Sequence, residues 1–423
     1  MDKYITLSPE AKGTFNDRLN FLYLKIGNYL DTENLQNRTL QYCKVFLSDS
    51  KNQIKELQES LLYQEFLKDT NLTIVEQPPL DGSKISLLIK TTDDKTPILF
   101  HSLRLTEEEA KGKDSYEQTR MLFERYLSLI ADTDMTMERN LVRTWIYVTD
   151  IDVNYQGVVE ARNDVFSQQG LTADTHYIAS TGIGGSTSVL NASVAIDFLT
   201  IPDINEENKK YLQALEHLNP THEYGVAFER GTRVTIPVHS VNSDGKQQFK
   251  QQYFISGTAS IDKQGDVVYE GDIVRQTGRL LENIGALLKD GDATMNDIQY
   301  FIIYLRDISD YHTVDRLMQQ FYPQIPRIIV ESKPPRSVTM PPPRLMRQEC
   351  REPPPSPSDF HTCAIVSRFL WVSVAPILMT CAFFSVKNPW MTGRHFSFVT
   401  SSTRIKILSC SHSVSALAIS LSR

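Results

Sequence analysis

Residues 253–288 read YFISGTASIDKQGDVVYEGDIVRQTGRLLENIGALL, and this stretch decides the fold. An apolar, aromatic run leads through Ser256-Gly257-Thr258 into a glycine turn and a second short strand, which is turn chemistry between two β-segments. Ile273, Leu280, Leu281, Ile284, Leu287 and Leu288 then recur at helical spacing on one face. Further on, FIIYL (301–305) predicts a strand buried on both sides, YHTVDRLMQQF a second helix and RIIV a β-branched strand. Hairpin, helix, strand, helix, strand is an α+β layout, with two helices on one face of a mixed sheet.

The same grammar recurs upstream. Gln118-Thr119 matches Gln276-Thr277, Thr136-Met137 matches Thr294-Met295, and Tyr147 with Asp150 matches Tyr304 with Asp307. Earlier still, LQYCKVFLSD (40–49) matches IQYFIIYLRD (298–307), and LTIVEQPP (72–79) matches RIIVESKPP (327–335). Three copies are therefore expected. A first unit spans 1–90 and lacks its opening hairpin, a second spans 91–205, and a third spans 220–333 and lacks its last strand.

Composition narrows the function. A net charge of −7, with no basic stripe before residue 330, argues against nucleic-acid binding. The N-terminal MDKYITLSPEAKG has no apolar core of a secretory signal. Only Cys43 lies in the first 349 residues, so the body needs no disulfides, which points to a cytoplasmic location. No cysteine or histidine spacing suggests a metal, and no cofactor is expected. STGIGGS (180–186) lacks the Gly-Lys-Ser/Thr ending of a phosphate loop and does not open a helix, so nucleotide binding is rejected.

The pattern ISGTASID–G–VVYEGDI–QT–RLLENI, followed by YLRD–DY and IPRIIVE, resembles the RidA (YjgF, endoribonuclease L-PSP-type) superfamily. The likeness is close over 220–333 and looser over 1–205. It implies chorismate-mutase-like α+β units that assemble as trimers, with small-molecule sites in the clefts between units. Three units in one chain imply an intrachain pseudo-trimer, with a homo-oligomer as the alternative. ARND (161–164) and ASTGIGGS (179–186) resemble the chorismatase branch, whose members hydrolyse the enol-ether side chain of chorismate. The activity implied is hydrolysis of a small carboxylate-bearing imine or enamine. The alternatives are a chorismatase-like hydrolase and a non-catalytic metabolite binder.

The resemblance also assigns residues. The family arginine that pairs with a substrate carboxylate falls at Arg327, a role suited to the planar guanidinium fork. Its counterparts are Leu72 in the first unit and a position near His176 in the second. The carboxylate of the last strand is missing from the third unit, with Glu331 or Asp197 as substitutes, and Asp197 is the second catalytic candidate. Phe228, Arg230, Ser256, Gly257, Thr258 and Tyr304 are the expected substrate contacts.

From Lys333 the composition breaks. Nine prolines fall between 334 and 357, and no acidic residue follows Asp359. The run FLWVSVAPILMTCAFFSV (369–386) is uncharged and interrupted by Pro376. Three readings of 334–423 stand: a membrane anchor at 369–386, an appended or disordered module, and a shifted reading frame or misjoined gene end.

Overall fold

The protein is described by a computed structural model covering residues 2–10, 12–241, 247–335, 370–374 and 379–381. Three sheets with their helices follow one another along the chain. The first unit runs β1 (Lys3–Leu7), α1 (Phe15–Asn34), β2 (Thr39–Leu47), α2 (Ser50–Glu59), β3 (Asn71–Glu76) and β4 (Ile85–Thr92). The second runs β5 (Leu99–Leu103), α3 (Ser115–Ile130), β6 (Leu141–Val148), α4 (Ile151–Gln168), β7 (Ala179–Gly184) and β8 (Val194–Thr200). The third opens with β9 (Lys209–Tyr211) and the hairpin β10 (Gly231–Val241) and β11 (Gln247–Thr258). It continues with α5 (Ile273–Asp290), β12 (Phe301–Leu305), α6 (Tyr311–Phe321) and β13 (Arg327–Glu331).

The first helices of the units start at side-chain caps written in the sequence. Thr14 with Asp17 and Asp114 with Glu117 close capping boxes, and Asp272 caps α5. Each sheet then packs one face against its own helices. Leu19, Leu22, Val45 and Leu87 form the first such core, Phe123, Ile146, Phe166 and Phe198 the second, and Leu280, Ile284, Ile303 and Met318 the third.

Strand order is the same in the three sheets. The last strand of a unit lies between its opening strand and its first parallel strand: β1-β4-β2-β3 and β5-β8-β6-β7. In the third sheet that slot lies between β11 and β12, and β14 (Leu370–Val374) occupies it, antiparallel to both. A missing last strand is what the sequence predicts there, and the structure supplies one after a 38-residue connection (332–369), against 8 residues (77–84) and 9 residues (185–193) in the first two units. A second short strand, β15 (Met379–Cys381), pairs with β11. The described parts of 369–386 are thus strand, and among the described residues no helix is long and apolar enough to cross a membrane. The rest of the 334–423 tail beyond Pro335 lies outside the described residues. The opening hairpin is confined to the third unit, because the second also opens with a single strand, β5.

The other sheet faces meet at a shared centre. Phe46 and Val75 from the first unit, Tyr147 and Ile183 from the second, and Tyr304 and Val330 from the third form one buried cluster. This is the interior of an intrachain pseudo-trimer. The edges close cyclically. Glu76 bridges Ser186, the amide of Gly184 donates to the carbonyl of Lys333 at 2.9 Å, and the amide of Leu80 donates to that of Ile329 at 3.0 Å. All three meet at the carbonyl of Gly184, which accepts from Gln77 Nε2 at 2.6 Å and Ser332 Oγ at 2.5 Å. A Cβ on Gly184 would lie 2.8 Å from the Lys333 carbonyl oxygen, and one on Gly185 2.9 Å from Val75. Gly184 and Gly185 of STGIGGS serve this close approach, and residues 179–184 are themselves strand β7.

Candidate functional site

A pseudo-trimer has three inter-unit clefts, and the fold makes them unequal. Each cleft has the start of a parallel strand on one wall. Registers fix the equivalent positions there: Tyr304 faces Val330, Tyr147 faces Ile183 and Phe46 faces Val75. Counting back three places, Arg327 corresponds to Leu72 and to Ser180. Ser180, buried in β7, therefore replaces the expectation of an equivalent near His176.

The cleft between the third and first units has a volume of about 430 Å3, with Arg327, Tyr311 and Asp315 on one side and Thr6, Ser8 and Asp81 on the other. Arg327 Nε and Nη2 donate to Asp315 Oδ1 at 3.2 and 2.9 Å, and Nη2 also donates to Gln319 at 2.8 Å. The fork is thereby oriented by α6, and Nη1 has no protein acceptor among the described residues. Burial, with the neighbouring Asp315 and Asp81 carboxylates, raises the Tyr311 phenol above its ordinary value.

The cleft between the first and second units, about 250 Å3, is lined by Leu72, Glu76, Ser102, Arg104 and Ser186–Val189. Beneath it lies Asp197, wholly buried on β8. Its Oδ2 accepts from Thr73 Oγ1 at 2.6 Å and Tyr147 OH at 3.0 Å, and its Oδ1 from Ser102 Oγ at 2.8 Å and Arg104 Nη1 at 3.0 Å. Both oxygens already hold two donors. Lys44 stands beside this group with its ammonium over the rings of Phe46 (4.8 Å) and Tyr147 (4.7 Å) and, among the described residues, no hydrogen-bond partner. Burial, opposed only in part by Asp197, lowers its pKa to about 7.

The cleft between the second and third units, about 160 Å3, is lined by His176, Tyr211, Phe228, Glu229 and Arg230. The His176 ring stacks on Tyr211 at 4.5 Å. Arg230 is tied to the Asn219 carbonyl by Nε (3.1 Å) and Nη2 (2.9 Å) and lies over Phe228. Burial raises the Glu229 carboxyl, whose Oε1 accepts from the Tyr177 amide at 2.8 Å. Behind it, Ser256 accepts from the Ser180 amide at 2.9 Å and from the buried Arg143 at 3.3 Å, and Thr258 donates to the Ser256 carbonyl at 3.1 Å.

The sequence-predicted residues are thus dispersed. Arg327 lines one cleft, Asp197 underlies another, and Phe228 and Arg230 line the third. Ser256, Gly257 and Thr258 sit at the end of β11 behind that third cleft, with Ser256 and Thr258 buried. Tyr304 is buried in the shared centre. Glu331 is exposed at the end of β13. Lys44, Arg104 and Arg143 were not singled out from sequence, since Lys44 and Arg143 reach into a neighbouring unit and the partners of Arg104 lie on strands remote from it in the chain. Among the described residues no cluster of three or more histidine, cysteine or acidic side chains is arranged to hold a metal.

The comparisons with known proteins agree with this architecture. Residues 243–345 match the family model of Endoribonuclease L-PSP. The chain is 32% identical over 83 residues to a RutC family protein of Pyrococcus abyssi, covering 20% of this chain and 60% of that protein. It is 31% identical over 71 residues to the 3-aminoacrylate deaminase RutC of Acinetobacter baylyi, covering 17% and 56%. The chain therefore spans little more than half the length of these curated relatives. A crystal structure of a chorismatase superposes with a TM-score of 0.55 at 15% identity over 89% of this chain and 98% of that one, a likeness of fold. Fold and matches together define a RidA-type α+β protein with three fused units. The likeness to the RidA superfamily is carried by the third unit, where residues 243–345 match the Endoribonuclease L-PSP model.

Proposed function

We propose that the chain hydrolyses a small carboxylate-bearing imine or enamine in the cleft between its third and first units. The observation that carries this reading is Arg327. It lies in the matched segment, its fork is pre-set by Asp315 and Gln319, and its Nη1 has no acceptor among the described residues. A substrate carboxylate docked on that edge gains a charge-assisted bond without reorganising the arginine. Water then adds to the C=N carbon and gives up a proton. The C–N bond breaks, ammonia departs once protonated, and a carbonyl remains. In this reading Asp81, the lining carboxylate that does not hold Arg327, accepts the proton, and the protonated Tyr311 phenol donates one. Asp197, sealed beneath another cleft, acts as a positioning residue for Arg104 and Tyr147. The similarity to a 3-aminoacrylate deaminase supports this substrate class.

The fold likeness to a chorismatase over most of the chain favours a second reading, hydrolysis of the enol ether of chorismate. One experiment separates them. The full-length protein is supplied with imino acids generated in situ by an amino-acid oxidase, with semicarbazide trapping of surviving imine, and separately with chorismate followed by chromatography. Faster loss of trappable imine, slowed on the order of 100-fold by Arg327→Ala, supports the proposal, since this removes a charge-assisted bond and the orientation it gives. Consumption of chorismate alone selects the second reading, and no turnover of either overturns both.

A further inference from the structure

The cleft between the first and second units has lost the arginine position of the third, because Leu72 stands where Arg327 does. Its opposite wall nevertheless carries an arginine. Strand registers align the opening strands: Thr6 faces Leu88, which faces Lys44, while Ser102 faces Asp197, which faces Trp145. Lys44 and Trp145 are equivalent, so Thr6 corresponds to Ser102 and Ser8 to Arg104. In one cleft the pair is Arg327 with Ser8, and in the other it is Leu72 with Arg104, each pair lining its own cleft. The guanidinium has crossed from one wall to the other while the cleft has kept a single cation.

The arginine is built in. Nη1 is anchored to Asp197 (3.0 Å) and to the carbonyls of Leu103 (2.9 Å) and Ile196 (3.3 Å), and the guanidinium lies over the Tyr147 ring. Nη2 is buried and has no acceptor among the described residues. A donor without an acceptor in a buried position is costly unless a ligand supplies one. Glu76, the one carboxylate lining this cleft, is already engaged by three donors from other residues. It accepts from the Ser50 amide and hydroxyl, both at 2.7 Å, and from Ser186 Oγ at 3.1 Å. The Ser102 hydroxyl is spent on Asp197, so its remaining capacity, like that of Ser186, is to accept. An acceptor for Arg104 beside hydroxyl oxygens describes a small carboxylate carrying hydroxyl groups.

From this we infer that the cleft between the first and second units is a second anion site, in which Arg104 Nη2 binds the carboxylate of a small hydroxy acid. It is separate from the Arg327 cleft and does not depend on turnover there. The test is calorimetric titration of the full-length protein with D-glycerate as probe and glycerol as the uncharged control. Two glycerate sites are expected, with no heat from glycerol. Arg104→Gln removes one site and Arg327→Gln the other. Because Arg104 also holds Asp197, Ser188→Asp provides an independent variant: Ser188 lines the cleft outside the network, and a carboxylate there weakens the same site by about tenfold. Glycerate titrations unchanged by both Arg104→Gln and Ser188→Asp overturn the inference, and so does the absence of any glycerate binding. A site lost only in Arg327→Gln also overturns it while leaving the proposed activity standing.

Discussion

Gly184→Ala tests whether the three units close on one another within the chain. The added methyl would meet the Lys333 carbonyl oxygen at 2.8 Å, the Lys333 nitrogen at 3.0 Å and Ser332 Oγ at 3.3 Å. Two of those atoms are backbone held by the third unit, so relief requires the segment after β13 to withdraw by about half an ångström. Overpacking of this kind costs about 1–3 kcal/mol. Withdrawal also weakens the Gly184–Lys333 and Ser332–Gly184 hydrogen bonds, which adds about 1 kcal/mol. The total is about 2–4 kcal/mol. Over roughly 330 folded residues at about 2.1 cal/mol/K each, this lowers Tm by about 3–6 °C. Gly278→Ala is the matched control. It lies exposed in α5 with nothing within 4 Å of its new methyl, and helix propensity alone predicts a gain of about 1 kcal/mol, or about 1 °C. Calorimetric melts of parent and both variants decide the matter. A Gly184→Ala melt within about 1 °C of the parent would refute axial closure through this residue.

Other expectations follow from the cleft chemistry. Lys44 has a folded pKa of about 7 against an ordinary 10.5, because burial disfavours its charge. Below pH 7 the folded state bears the whole cost of the buried ammonium. Between 7 and 10.5 the unfolded chain binds more protons, and stability climbs with pH. Lys44→Met removes that climb, which denaturant titrations at pH 6.5 and 9.5 will show; equal pH dependence in parent and variant speaks against the buried charge. Asp197→Ala leaves Arg104, Tyr147, Thr73 and Ser102 without their acceptor and costs about 3–5 kcal/mol, more than Asp197→Asn, as read from urea midpoints. Arg327→Ala changes Tm little, because its ion pair with a half-exposed Asp315 contributes at most about 1 kcal/mol, so any loss of activity there reports on binding.

How much of this was legible in the sequence depends on the range of the interaction. Periodicity and repeat matching reached the α+β class and the three copies, because each unit's strand and helix patterns are local and each core packs within its own copy. The matching of LTIVE to RIIVE also identified Leu72 as the counterpart of Arg327. The second-unit counterpart was misplaced by four residues, since TGIGG shares no side-chain pattern with RIIVE and only the β6–β7 register shows Ser180 in that place. The strand that fills the third sheet was illegible for a related reason. It is supplied across a long proline-rich connection, and nothing in its own pattern says which slot it enters.

The site residues failed to group for a deeper reason. Sequence reading offered Arg327, Asp197, Arg230 and Ser256 as site residues and could not assign each to its cleft. In a homotrimer every cleft contains every site residue, because each subunit contributes both walls. Fusion removes that constraint, and one wall can now change without its counterpart in the other clefts changing too. The outcome here is three chemically distinct clefts: an arginine supplied by the strand start at Arg327, one supplied by the opening strand at Arg104, and a third lined by His176, Tyr211 and Arg230, with Arg230 bound to Asn219. Lys44 and Asp197 face the same junction, Lys44 from β2 of one unit and Asp197 from β8 of the next. Their proximity has no local signature, and only the pseudo-threefold packing makes it visible.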